Sequence, residues 1–184
     1  MKRLFIALNL PSEIKEKVSE IKENLEEDFG RGVRWVKNDN LHITVSFLGS
    51  VKEKKINELI ELLSDVDVER INIELNKIRY VPDRRRAKLI WIEGTGKGLK
   101  KLKEDIDNKL VESGILNYEP EKRDFILHVT LGRIKSFEYK KIPLEEIPLL
   151  EDDPYFQFSV DSFELMESKL GKGGPKYKII KSYK

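Results

Sequence analysis

The two histidines of this chain occupy the same short phrase, Leu41-His42-Ile43-Thr44 and Leu127-His128-Val129-Thr130. Only three threonines occur in 184 residues (Thr44, Thr95 and Thr130), so finding one two positions after each histidine reflects a repeat and not composition. An imidazole titrates near about 6.5, so one ring of a pair can be neutral while the other is protonated around neutral pH. Such a pair can take a proton from an attacking oxygen and return one to a departing oxygen in a single displacement. A hydroxyl beside each ring supplies donors for the non-bridging oxygens of a phosphate. These residue types point to phosphodiester hydrolysis or transfer.

The elements that must position them are strands. Each phrase alternates apolar and polar residues, as a half-buried strand does. Strict alternation puts His42, Thr44 and Ser46 on one face and Leu41, Ile43 and Val45 on the core face. It likewise puts His128 with Thr130, opposite Leu127, Val129 and Leu131. By the same parity Arg133 falls with Val129, away from the groove. It is then a surface or packing residue, unless a bulge at Gly132 turns it toward a phosphate.

Further strand-like runs lie at 2–9, 33–36, 41–48, 70–81, 88–93, 126–134, 155–168 and 176–183. Apolar residues at steps of three and four predict helices at 11–29, 53–64 and 97–113, the first ended by Gly30 and the third by Gly114. A weaker fourth helix at 139–147 is interrupted by Pro143 and followed by Pro148. No Gly/Ser/Pro-rich linker divides the chain. The duplicated phrase predicts a single compact α+β domain, 1–184, of two intertwined lobes, each giving one His-x-Thr strand to a shared groove.

Composition narrows the remaining classes. With no cysteine, disulfides, thiolate nucleophiles and cysteine metal sites are excluded. Charged residues make up 37% of the chain, yet the net charge is only +2, unlike a strongly basic nucleic-acid binder. Dense, balanced Lys and Glu without cysteine fits a thermophile's protein. No apolar run approaches the roughly 20 residues of a membrane span. The N-terminal Lys2–Leu8 reads as a first strand and not a leader, which makes the cytoplasm the expected location and a monomer the default state. A catalytic zinc takes three protein ligands; two histidines would need a carboxylate, and near the motifs only Asp39 and Asp124 offer one, so no metal is expected.

His42-Ile43-Thr44-Val45-Ser46-Phe47-Leu48-Gly49 and His128-Val129-Thr130-Leu131-Gly132-Arg133 resemble the paired HxTx motifs of the two-histidine (2H) phosphoesterases. More narrowly, the chain is similar to the RNA 2′,3′-cyclic phosphodiesterases, also called 2′-5′ RNA ligases. Arg3-Leu4-Phe5-Ile6-Ala7, Trp35, Leu89-Ile90-Trp91 and Gly174-Pro175-Lys176-Tyr177 extend the likeness over nearly the whole length. The resemblance implies a bilobal fold, two mostly antiparallel sheets flanked by helices around a central cleft with pseudo-two-fold symmetry. It implies hydrolysis of a terminal RNA 2′,3′-cyclic phosphate, as on tRNA fragments, to a 2′-phosphate. His42 would be the proton donor to the departing 3′-oxygen, His128 the proton acceptor that activates water, and Thr44 and Thr130 the phosphate holders. Reversal with a 5′-hydroxyl in place of water would form a 2′-5′ linkage. Neither direction implies ATP, another cofactor or a metal. Alternatives within reach of the same residues are a small cyclic or 2′-5′-linked nucleotide as substrate, and a non-catalytic RNA-end-binding module. Against the family pattern, Leu127 stands for Pro, Gly132 for Ala and Lys88 for Arg.

Other groups have two readings each. Ser46 shares the predicted groove face as a substrate-binding candidate. Trp91 and Tyr177 either stack on a terminal base or pack in the core. Arg84-Arg85-Arg86, Lys88 and the Lys-rich end meet an RNA backbone or are solvated surface. Gly94-Thr95-Gly96-Lys97-Gly98 reads as a strand-to-helix turn, since Leu99 breaks the dinucleotide-binding spacing. Gly171-Lys172-Gly173-Gly174-Pro175 reads as a hairpin turn, bordering the cleft or remote from it.

Overall fold

The β-branched and aromatic runs form nine strands in the computed structural model, which describes residues 1–29, 32–150, 153–171 and 174–184. They are β1 (Lys2–Asn9), β2 (Val33–Trp35), β3 (His42–Val51), β4 (Ile71–Val81), β5 (Leu89–Lys97), β6 (His128–Ile134), β7 (Phe156–Val160), β8 (Phe163–Gly171) and β9 (Gly174–Tyr183). The helices are α1 (Ser12–Phe29), α2 (Ile56–Ser64), α3 (Leu99–Ser113) and the short α4 (Ser136–Tyr139). The stripe Ile14, Val18, Leu25 and Phe29 of α1 and the stripe Leu99, Leu102, Ile106 and Leu110 of α3 are buried. Both share one core with Ile6, Leu8, Ile43, Ile90, Ile92 and Val129 from the sheet. The sheet thus gives one face to helices and leaves the other for the histidines.

The strand order is β7-β4-β5-β6-β3-β1-β8-β9, with β2 added against β6. All pairings are antiparallel. The two expected sheets are the halves β7-β4-β5-β6 and β3-β1-β8-β9, and they are continuous through the single residue pair Ile43–Val129. The motif strands β3 and β6 are therefore innermost.

Four expectations are corrected. The strand predicted at 155–168 is two, broken at Asp161-Ser162, because β7 pairs with β4 in one half and β8 with β1 in the other. The glycine run 94–97 is not a turn but the end of β5, paired with Asn72–Leu75 of β4; only Gly98, at φ +93°, turns the chain into α3. Helical structure around 139–147 is displaced to α4 and a 3-10 turn at Leu144–Glu146, flanked by Pro143 and Pro148. The predicted stop at Gly30 lies outside the described residues, as do Lys172 and Gly173, although the pair Gly171–Gly174 closes β8 on β9 as a hairpin.

The fourth correction matters most for the site. In β3, Thr44 pairs with Ala7 and Ser46 with Ile6, so Val45 is an extra residue. In β6, Thr130 pairs with Trp91 and Gly132 with Ile90, so Leu131 is an extra residue. Each motif strand carries a bulge immediately after its threonine, and side-chain parity reverses beyond it. Val45 and Ser46 are consecutively buried, as are Leu131 and Gly132. Ser46 is consequently buried, off the parity of His42 and Thr44. Phe47 and Arg133 swing onto the histidine face.

Gly132 is required by this packing. A Cβ there would lie 2.5 Å from Val33 Cγ1 and 3.0 Å from Trp35 Cε3. Gly132→Ala should cost about 1–3 kcal/mol of stability by overpacking, read from equilibrium urea unfolding. A loss under about 0.5 kcal/mol would show that β2 yields freely.

Candidate active site

The pair Ile43–Val129 directs the two motifs at one another. Its antiparallel register carries His42 toward Thr130 and Thr44 toward His128. Register and side-chain parity thus set His42, Thr44, His128 and Thr130 on the face opposite the helices, and Thr44 and His128 line one cavity.

The rings are held in one tautomer. His42 Nδ1 is 2.6 Å from the Asn40 carbonyl, and His128 Nδ1 is 2.8 Å from the Ile126 carbonyl. A carbonyl only accepts, so Nδ1–H donates in both, and Nε2 is left to exchange protons. Thr44 Oγ1 lies 3.0 Å from His42 Nε2 and donates to it while the ring is neutral. The Asn40 segment is itself anchored. Asn40 Nδ2 donates to the Pro175 carbonyl at 2.8 Å, and the buried Lys22 ammonium donates to the Val36 carbonyl at 2.7 Å and to Asn38 Oδ1.

Trp91 and Tyr177 meet the imidazoles directly. Trp91 lies against His128 with ring centroids 4.1 Å apart, and Tyr177 meets His42 edge-on at 5.1 Å. Phe5 packs on His42 from a third direction, also at 5.1 Å. Both aromatics are half-buried and orient rings. The two surroundings then diverge. Glu93 stands opposite His128 in the β5–β6 register, accepts from Trp91 Nε1 at 2.9 Å and pairs with Arg79 at 2.8 Å. The matching position opposite His42 in β1 is Asn9, an uncharged amide.

Charge follows from these surroundings. Burial drives His42 down to about 4, opposed by its bond to Asn40 and reinforced by the positive charges of His128, Lys15 and Arg133. Burial also lowers His128, but the Ile126 carbonyl and the Glu93 carboxylate draw it back up. That Arg133 acts on His42 agrees with its place on the cleft face beyond the bulge. Arg34 of β2 is directly opposite it, and both are exposed.

The remaining candidates separate. Ser46 is 3% exposed and donates to Asp107 Oδ1 at 2.7 Å, in a network with Lys103 and Tyr118 in the wall of the cavity that Thr44 and His128 also line. Arg86 pairs with Asp83 and Arg84 donates to the Ile147 carbonyl, so these two arginines have protein partners. Among the described residues no cluster of three or more His, Asp or Glu side chains is placed to hold a metal ion. No helix among them is long and apolar enough to cross a membrane. Glu93, Lys22 and Asp107 are the residues that sequence reasoning missed. Only Glu93 carried a signal, since it shares strand parity with Trp91.

Two strands that present paired, tautomer-locked imidazoles with flanking hydroxyls at the centre of an antiparallel sheet define a two-histidine phosphoesterase. The family model described as LigT like Phosphoesterase matches residues 8–91 and 93–177, and the chain belongs to that family. The RNA 2′,3′-cyclic phosphodiesterase of Methanocaldococcus jannaschii is 33% identical over 98% of this chain and 99% of its own. That of Thermotoga maritima is 33% identical over 97% of this chain and 92% of its own. The crystal structure of TT0787 from Thermus thermophilus superposes with a TM-score of 0.79 at 22% identity, covering 98% of this chain and 96% of the other.

Because folding lowers the pKa of His42, the unfolded chain takes up a proton at higher pH than the native one. The stability this contributes is complete above about 6.5 and is lost as pH falls toward 4. Urea unfolding midpoints between pH 7.5 and 4.5 should fall more steeply for the native protein than for His42→Asn. Parallel curves would show that His42 is not held neutral.

Proposed function

We propose that this protein hydrolyses the 2′,3′-cyclic phosphate at an RNA 3′ end to a 2′-phosphomonoester. The observation that supports the reading is the Ile43–Val129 pair, whose register sets His42 and Thr44 opposite Thr130 and His128 on neighbouring strands. The substrate class is supported by the name shared by full-length relatives at one-third identity.

In this reaction His42 Nε2–H donates to the departing 3′-oxygen and His128 Nε2 takes a proton from the attacking water. Thr44 and Thr130 donate to the non-bridging oxygens, and Arg133 offsets the charge that builds on them. The asymmetry between Glu93 and Asn9 supports this division of roles. A base is strengthened by a carboxylate that stabilises the imidazolium it becomes, which is Glu93 beside His128. An acid is strengthened by surroundings that repel its proton, which His42 has in His128, Lys15 and Arg133. Burial and its cationic neighbours favour neutral His42 at pH 7, and a phosphodiester anion between the rings raises its pKa and favours the donor state. The chemistry draws on proton transfer and hydrogen bonding by these side chains, with neither ATP nor metal.

The test is turnover of a cyclic-phosphate-ended oligonucleotide in chelator with identification of the product. We expect a 2′-phosphate, and a loss of about 10²–10⁴-fold in rate for His42→Ala and for His128→Ala. A 3′-phosphate product, or mononucleotides turning over far faster than oligonucleotides, would overturn the assignment.

The pH profile tests the division of roles. The bell of kcat/KM should be centred below pH 6.5, because burial lowers both rings in the free protein, and the kcat bell should move upward. Glu93→Gln should shift the upper limb of kcat/KM to lower pH. An unmoved limb would remove Glu93 from any part in setting His128.

A further inference from the structure

The buried stripe of α1 contains one charged residue. Ile14, Val18, Leu25 and Phe29 recur at helical spacing, and Lys22, only 7% exposed, takes the place between Val18 and Leu25. Lysine is seldom buried this deeply without a partner that compensates its charge. Among the described residues no ion pair includes it. Burial lowers its pKa, and only the exposed Glu23 and Glu26 of the same helix oppose this. Both acceptors of its ammonium are neutral oxygens, the Val36 carbonyl at 2.7 Å and Asn38 Oδ1. A leucine or methionine would complete the stripe without desolvating a charge.

What the ammonium holds is the connection from β2 to β3. Val36 N donates to the Leu131 carbonyl at 2.8 Å, one residue beyond Thr130. Lys22 takes the carbonyl of the same Val36, which is thereby fixed between β6 and α1. One turn earlier on α1, Ser19 Oγ accepts from Asn38 Nδ2 at 2.8 Å, so both polar atoms of the Asn38 amide are bonded to the helix. The chain then makes the 3-10 turn Asn38–Asn40, which has no side-chain cap from Lys37. It is closed by Asn40 N to the Lys37 carbonyl at 2.8 Å and Leu41 N to the Asn38 carbonyl at 3.1 Å. The turn ends at the carbonyl that receives His42 Nδ1–H at 2.6 Å.

The second imidazole is supported differently. His128 Nδ1–H donates to the Ile126 carbonyl, in a segment before β6 that has neither helix nor strand. No bond of Lys22 or Asn38 reaches that segment. One ring therefore depends on α1 through a chain of hydrogen bonds, and the other does not.

We propose that Lys22 is a positioning residue for His42, its buried ammonium holding the Asn38–Asn40 turn so that the Asn40 carbonyl fixes the ring with Nε2 beside Thr44. A charged donor suits this task because its hydrogen bonds are shorter and stronger than those of a neutral one. Lys22 belongs to the helix layer, on the other face of the sheet from the imidazoles, so it acts only through the turn. Its effect on the rate rests on the hydrolase reading above; its effect on the ring does not.

With only two histidines in the chain, a proton–nitrogen NMR spectrum of the imidazoles contains two ring systems, each a control for the other. Lys22→Met keeps the length of the side chain and removes its donors. The exposed Asn38→Ala removes one acceptor and the bond to Ser19, and tests the same path in a second protein. In each variant His42 Nδ1–H should exchange with water at least about tenfold faster, with His128 unchanged. The His42 ring should also populate the tautomer protonated at Nε2. On a cyclic-phosphate-ended oligonucleotide kcat should fall about tenfold while KM stays within about threefold. Lys22→Arg, which restores a charged donor, should recover part of both losses. Cooperative urea unfolding with the native m-value reports intact folding, and if Lys22→Met does not fold, Asn38→Ala decides.

An unchanged His42 spectrum in both variants overturns the proposal, whatever happens to kcat. Equal changes at His42 and His128 also overturn it, since Lys22 would then be a general prop of the fold. A native protein without turnover overturns the hydrolase reading, and the spectra still decide the part played by Lys22.

Discussion

One antiparallel contact, between Ile43 and Val129, joins the two halves of the sheet, and both residues are fully buried. Everything that makes the cleft chemically useful follows from that register. Residues flanking a buried pair must point to the opposite face, so the four motif side chains are driven out of the core together. A slip of one residue in either strand would bury an imidazole and expose an isoleucine or valine. The hydrophobic effect at this pair therefore aligns the two imidazoles, and the site inherits its precision from the core.

The two bulges act on that alignment as a second device. An extra residue after each threonine, Val45 in β3 and Leu131 in β6, reverses parity where strict alternation would have continued. On one side this withdraws Ser46 into a bonded network with Asp107 and brings out Phe47. On the other it packs Gly132 beneath Val33 and Trp35 and brings out Arg133. The same backbone event thus yields an apolar wall at one end of the cleft and a cation at the other. Identical motifs acquire different neighbourhoods without any change in their own sequence.

That difference extends to proton affinity. His42 is enclosed by Phe5 and Tyr177 and faces Asn9, whereas His128 lies against Trp91 and faces Glu93. Both rings share a carbonyl on Nδ1, so the distinction arises from how deeply each ring is buried and from the charges around it, Glu93 at His128 and Lys15 and Arg133 at His42. Strand pairing and burial thus give two imidazoles of identical motif different surroundings.

The repeated His-x-Thr phrase, its alternation and the helical stripes of α1 and α3 were legible in the chain, because each depends on periodicities of two or about 3.6 between near neighbours. They sufficed for the fold class and for naming four candidate site residues. The face of Ser46 and Arg133, the partners Glu93 and Asn9, and the break at Asp161-Ser162 were not legible. A bulge is a mismatch in length between two paired strands, so it exists only once the partner is known. β7 and β8 separate for the same reason, their hydrogen bonds being made to strands far away in the chain. Local periodicity determined which side chains could do chemistry, and non-local pairing decided which of them reach the cleft and with what charge.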